Sequence, residues 1–165
     1  MSPPSNPPDP EALHHRIFDF EADFSGDLRC LPMAVRRKLD LAGVKLKLLH
    51  WHGLSPAERQ SLLQWNDDGP SLQELRDWLL ERSNSLPEGP AQPLEPARDC
   101  AWQQAGTLPE EVGLSCAQLG LNIESQRWAY LDELQRFALI KLSHPGHEHR
   151  NLPRAVREFG LLSDA

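Results

Sequence analysis

Three histidines within six residues, His144, His147 and His149, are followed by Arg150 and Asn151 and form the densest group of potential ligands in the chain. Zinc accepts imidazole, but His-x-x-His-x-His fixes no single helical face and structural zinc sites want four ligands. The preferred reading is a turn in which His147, Glu148 and Asn151 cap or brace the last helix, with no metal bound. Cys30, in Leu-Arg-Cys-Leu-Pro, precedes an expected helix N-terminus, a setting that favours thiolate chemistry or cofactor contact. An ordinary buried cysteine is the commoner case. His50 and His52 flank Trp51 and would point to one side of an extended chain. A cationic group, Arg29, Arg36, Arg37, Lys38, Lys45 and Lys47, is opposed locally only by Asp40. It could meet an acidic protein face or a phosphate-bearing ligand, or simply be a solvated helix face. No Ser-His-Asp spacing, glycine-rich phosphate loop or metalloprotease helix is present, so no catalytic residue is expected.

The elements that must position these groups come in two copies. Residues 31–63 and 108–140 align without gaps at an offset of 77. Leu31, Pro32, Gly43, Trp51, Leu54 and Arg59 meet Leu108, Pro109, Gly120, Trp128, Leu131 and Arg136. Each copy places Pro at the expected helix start and Gly just past its end. Val35, Leu39 and Ala42 share one helical face, with Arg36, Arg37 and Lys38 largely off it. Val44, Leu46 and Leu48 then alternate with Lys45 and Lys47, predicting a short extended segment. Ser55 with Glu58 is a capping box with Pro56 at the first helical position, and Asp132 with Gln135 offers the related pair. A third box, Ser71 with Glu74, opens a helix over 72–82; the last helix covers 152–159. Trp51 and Trp128 should cover the core, and Arg59 and Arg136 should brace carbonyls or carboxylates across a pseudo-twofold, with ligand contact the alternative for the two arginines. Arg127 and Ala129 replace His50 and His52 in the second copy, so those two histidines are read as structural.

The chain of 165 residues is long enough to bury a real core, and 39% apolar with 25% charged residues is ordinary for a soluble globular protein. Its net charge of −7 is uneven: residues 28–65 sum to +5 and residues 66–111 to −7. Any anion site is therefore expected in the first copy, and nucleic acid is a poor partner for so acidic a chain. Cys30, Cys100 and Cys116 form no paired motif and should be reduced thiols. No stretch spans a membrane and the start lacks a secretion signal, so a cytoplasmic protein is expected. Phe18, Phe20, Ala22 and Phe24 alternate with acids, predicting an extended segment with one buried face. Residues 83–107 are rich in Pro and Gly and are expected to be a linker.

The stretches FDFEADF, LRCLPMAVRRKLDLAGVKLKL and LQRFALIKLSHPGHEHRN resemble the nitrate reductase associated protein family. The Pro-rich leader, the long linker and His144, where an arginine is expected, depart from that pattern. The resemblance implies a small cytoplasmic bacterial protein acting with assimilatory nitrate reductase, and in cyanobacteria a maturation factor for it. It implies no enzymatic activity and carries no catalytic residues. The expected architecture is mainly α with short extended or β segments: two pseudo-symmetric helix–extended–helix–helix repeats packed together. A disordered leader (residues 1–16), a first half (17–82), the linker (83–107) and a second half (108–162) divide the chain. The expected function is that of a non-enzymatic accessory protein binding the apo or partly assembled nitrate reductase. No resident cofactor is expected; molybdopterin nucleotide, as a transient ligand, is the alternative.

Overall fold

The structure is a computed structural model, and it describes residues 14–144 and 150–163. It is mainly helical with one small two-stranded sheet. Two compact units divide the chain: one holds Phe24–Ala97 with the described residues up to Ile17, the other Phe18–Asp23 and the described residues from Arg98 onward.

A one-turn helix, α1 (Ala22–Ser25), carries the chain into the first unit, where α2 (Met33–Ala42) has Pro32 as N-cap and Gly43 as a left-handed C-cap, φ 81°. Strand β1 (Val44–Lys45) and the short helix α3 (Leu48–Gly53) follow. Ser55 caps α4 (Pro56–Gln64): its hydroxyl accepts from the Glu58 amide while the Glu58 carboxylate takes the Ser55 amide, the predicted box. Helix α5 (Gly69–Ser83) starts earlier than the Ser71–Glu74 pairing predicts. Asp68 is its N-cap and accepts from both the amide and the hydroxyl of Ser71, 2.9 Å each, so a carboxylate outcompetes the hydroxyl for the orphan amides. The core gathers Val35, Leu39, Trp51, Leu62, Leu75 and Leu79.

Part of the Pro-rich stretch is structured on this unit. Strand β2 (Gln92–Pro93) pairs antiparallel with β1, Val44 opposite Pro93. The Leu94 amide donates to Gly43 O and the Ala97 amide to Asp40 O. Both prolines and strand pairing are compatible because β2 is two residues long and lies at a sheet edge. Gly43 is forced by two demands at once. Its φ is positive, and a Cβ there would lie 2.5 Å from the Leu94 carbonyl oxygen and 2.8 Å from an Arg76 guanidinium nitrogen.

In the second unit Pro109 caps α6 (Glu110–Gln118), and Gly120 follows at φ 71°. Ile123 makes an isolated antiparallel bridge with Leu162. A 3-10 turn (Ser125–Tyr130) leads to Asp132, whose carboxylate and Gln135 close the box opening α7 (Glu133–Ser143). Helix α8 (Leu152–Glu158) ends before a left-handed Gly160. Trp102, Val112, Cys116, Trp128, Phe137 and Leu152 fill the core. Burial raises the Cys116 thiol pKa, which keeps it protonated and inert.

The extended segment predicted for residues 18–24 is absent. Phe18 and Phe20 are buried, but Phe18 is the N-cap and Phe20 the middle residue of a 3-10 turn (Asp19–Glu21) that runs into α1. Carboxylates, not a strand partner, take its amides: Glu21 accepts from Phe18, and Glu158 from Asp19 and Phe20. With those donors satisfied, the backbone needs no sheet.

Candidate functional site

The basic run does not lie on one solvated face. Lys38 is fully buried, 0% exposed, and its ammonium nitrogen donates to the carbonyls of Leu62 and Leu63 at the end of α4. Burial chiefly drives its pKa down to about 7; Asp67 opposes that and Arg37 adds to it. Arg37 is also buried and donates to Asp67 at 3.0 Å. The placement of both off the apolar face is thus corrected. Each has a long aliphatic stem that can pack in the core if its polar tip finds an acceptor, and both do. His14, buried beside Lys38, is held below its ordinary pKa by burial first and by that amine second.

The other cations stay outside. Arg36 is half-buried and donates to Leu31 O at 3.2 Å; Arg29 is exposed and pairs with Asp27 at 3.0 Å. Lys45 and Lys47 are exposed, and neither makes an ion pair among the described residues. Cys30 is a half-buried free thiol. His50 is buried as a structural group: Nδ1 accepts the Lys47 amide at 3.0 Å, so Nε2 donates to Gly89 O at 2.9 Å. His52 is exposed and donates through Nε2 to Arg29 O at 3.0 Å. Asn151 sits at the N-cap position of α8 without a side-chain cap bond, and its amide oxygen accepts from Arg154 at 3.4 Å. His147, Glu148 and His149 lie outside the described residues. Among the described residues no cluster of three or more potential metal ligands occurs.

The repeated Trp and Arg positions serve the backbone of their own units. The Trp51 indole donates to Leu28 O at 2.8 Å and that of Trp128 to Gln104 O at 3.2 Å. Arg59 donates to Trp51 O and His52 O, 3.0 Å each, and its guanidinium lies over the Trp51 ring. Arg136 donates to Trp102 O at 2.9 Å and to Leu131 O. These carbonyls belong to the same unit as the arginine in both cases.

Sequence reasoning missed one surface. On α3, Leu48 and Leu49 are 46% and 58% exposed, while His50 and Trp51 of the same helix are buried. The alternation Val44, Leu46, Leu48 assigned Leu48 to the inside, yet β1 ends at Lys45 and the chain turns helical at Leu48. The signal that could have found it lies at the offset of 77, where Ser125 and Gln126 occupy the corresponding places. Positions whose aligned partners are Ser and Gln are not marked by the sequence as core positions.

Fold and side-chain geometry together define a small, mainly helical protein whose repeated Trp and Arg side chains close its own backbone hydrogen bonds. Residues 17–159 match the family described as conserved nitrate reductase-associated protein, and the chain belongs to that family. No curated protein and no solved structure matches it. The description names association with nitrate reductase and not reductase activity. Among the described residues no helix is long and apolar enough to cross a membrane.

Proposed function

We propose that this chain is a non-enzymatic accessory protein that binds nitrate reductase in its apo or partly assembled form and keeps it competent for cofactor insertion. Family membership over residues 17–159 is the observation that carries this reading. The side-chain geometry is compatible with it, because the repeated Trp and Arg groups hold a scaffold. Such a protein shifts reductase assembly only if it binds the open enzyme more tightly than the closed, loaded one.

The offset of 77 supports a second part of the proposal, that the two units are pseudo-symmetric copies of one module. Helices α2 and α6, the segment of α3 and the 3-10 turn of residues 125–130, and helices α4 and α7 begin at corresponding positions.

Deletion of the gene followed by assay of reductase polypeptide, cofactor content and activity tests the reading. Normal polypeptide with little cofactor and little activity is the expected result; a normal, fully loaded reductase overturns it. Purified apo-reductase should bind the isolated protein without any cofactor added. Saturable binding of molybdopterin nucleotide, with no binding of apo-reductase, would favour cofactor handling instead. The burial of Arg37 and Lys38 removes two of the cations on which both readings drew.

A further inference from the structure

The exposed arc of α3 has no structural reason to be apolar. Helical spacing puts Leu48, Leu49 and His52 on one continuous arc facing solvent and leaves His50 and Trp51 facing the core. Lys45 and Lys47 precede them in an extended stretch, where residues two apart project to the same side. Two adjacent leucines in solvent beside two lysines with no carboxylate partner among the described residues form a small apolar centre with a cationic border.

The second unit supplies an internal control. There the places of Lys45, Lys47, Leu48, Leu49 and His52 are taken by Asn122, Glu124, Ser125, Gln126 and Ala129. Trp128 is nevertheless buried at 1% exposure, as Trp51 is at 0%. Packing of the tryptophan turn therefore requires neither the leucines nor the lysines.

We infer that Lys45, Lys47, Leu48, Leu49 and His52 form a docking surface for an acidic protein face with an apolar centre. Resting on the function proposed above, the inference places that face on the nitrate reductase apoprotein. Charge selects the occupant. The lysines complement carboxylates, and desolvated leucines supply affinity once the charges have set orientation. An anionic membrane fits less well, because α3 has only six residues and the chain as a whole carries −7. A second copy could offer the acidic groove of α5, lined by Asp77 and Glu81. That contact would be head-to-tail, which closes only if the rotation happens to form a ring.

The test exchanges one surface for the other in the full chain. Leu48→Ser with Leu49→Gln installs the second unit's residues, and Lys45→Asn with Lys47→Glu does the same for the charges. Binding to purified apo-reductase is measured by calorimetry across a salt series, with thermal unfolding as the check on folding. The leucine exchange should weaken binding about tenfold or more at every salt concentration. The lysine exchange should weaken it mainly at low salt and flatten the salt dependence. Wild-type binding that both exchanges leave intact overturns the surface while the function stands. Failure of the wild type to bind apo-reductase overturns both. Sedimentation velocity and flotation with anionic vesicles complete the experiment. An exchange that abolishes self-association or vesicle binding, with reductase binding untouched, assigns the surface to that other occupant and overturns the inference.

Discussion

The Trp51 unit and the Trp128 unit solve the same local problem with different side chains at nearly every exposed position. Both bury an indole whose N–H finds a backbone carbonyl, and both follow it with a reciprocal cap, Ser55 with Glu58 and Asp132 with Gln135. Both also use a buried polar group from the preceding long helix to satisfy carbonyls near the end of the next. In the first unit that group is Lys38, reaching Leu62 O and Leu63 O; 77 positions on it is Ser115, whose hydroxyl donates to Ser143 O at 3.1 Å. A short hydroxyl and a long amine are chemically unlike, yet each answers an orphan carbonyl. The need to pair buried carbonyls is what the units share, and surface chemistry is where they part.

The arginines give the sharpest way to break that comparison. Arg136 is 8% exposed and its acceptors are enclosed, whereas Arg59 is half-exposed and can be replaced by water. Arg136→Ala should cost about 3–4 kcal/mol, the sum of two buried acceptors left unpaired and lost packing. Arg59→Ala should cost about 1–2 kcal/mol, since water can reach its carbonyls. Chemical denaturation of both variants reads the difference; equal losses would mean the two units enclose their arginines alike.

The paired glycines come next. Gly43→Ala must accept φ 81° and a Cβ overlapping the Leu94 carbonyl and Arg76, for about 3 kcal/mol. Gly120→Ala meets φ 71° with nothing within 4 Å and should lose about 1 kcal/mol. If both cost the same, β2 does not hold its place against Gly43 in solution.

Lys38 against Ser115 makes a prediction in pH. The folded pKa of Lys38, about 7, lies below the unfolded value near 10.4, so between those limits the unfolded chain binds more protons. Stability attributable to Lys38 therefore rises with pH from about 7 toward about 10 and is lost as pH falls through 7, by at most about 1.4 kcal/mol per pH unit. Burial sets this value first, with Asp67 opposing it and Arg37 adding to it. Thermal unfolding of Lys38→Met between pH 7 and pH 9 should lose that slope. An unchanged slope would place the wild-type amine in solvent.

What the sequence made legible follows the range of the interaction. Ser55 with Glu58, Asp132 with Gln135 and the helix-ending glycines act over a few residues, so spacing alone finds them. Lys38 reads as a surface charge because its acceptors, Leu62 O and Leu63 O, lie more than twenty positions away. FDFEADF reads as a strand because its period is two, and Glu158, 138 residues from Phe20, takes an amide that a strand partner would otherwise need. At the candidate surface, Lys45 and Lys47 were visible as charge. Leu48 and Leu49 were not, since exposure depends on where β1 stops and α3 begins.

The smallest expected effect asks whether the two capping boxes are interchangeable. Glu58 closes its box and also takes a bidentate pair from Arg82, 2.7 and 3.1 Å, which is the first cause of its lowered pKa. Gln135 closes the corresponding box at 3.0 Å without a charge. Glu58→Gln writes the second unit's residue into the first and keeps the cap, because glutamine serves equally at that position. Only the ion pair is lost, so the cost should be under about 1 kcal/mol and shrink in high salt. Since the folded Glu58 pKa is depressed, the wild-type advantage should be present above pH of about 4.3 and vanish as pH falls through the lower folded value. Denaturant titrations at pH 7 and pH 3 measure both. A loss of 2 kcal/mol or more, insensitive to salt, would mean that the charge holds the cap itself and that the two boxes are not equivalent.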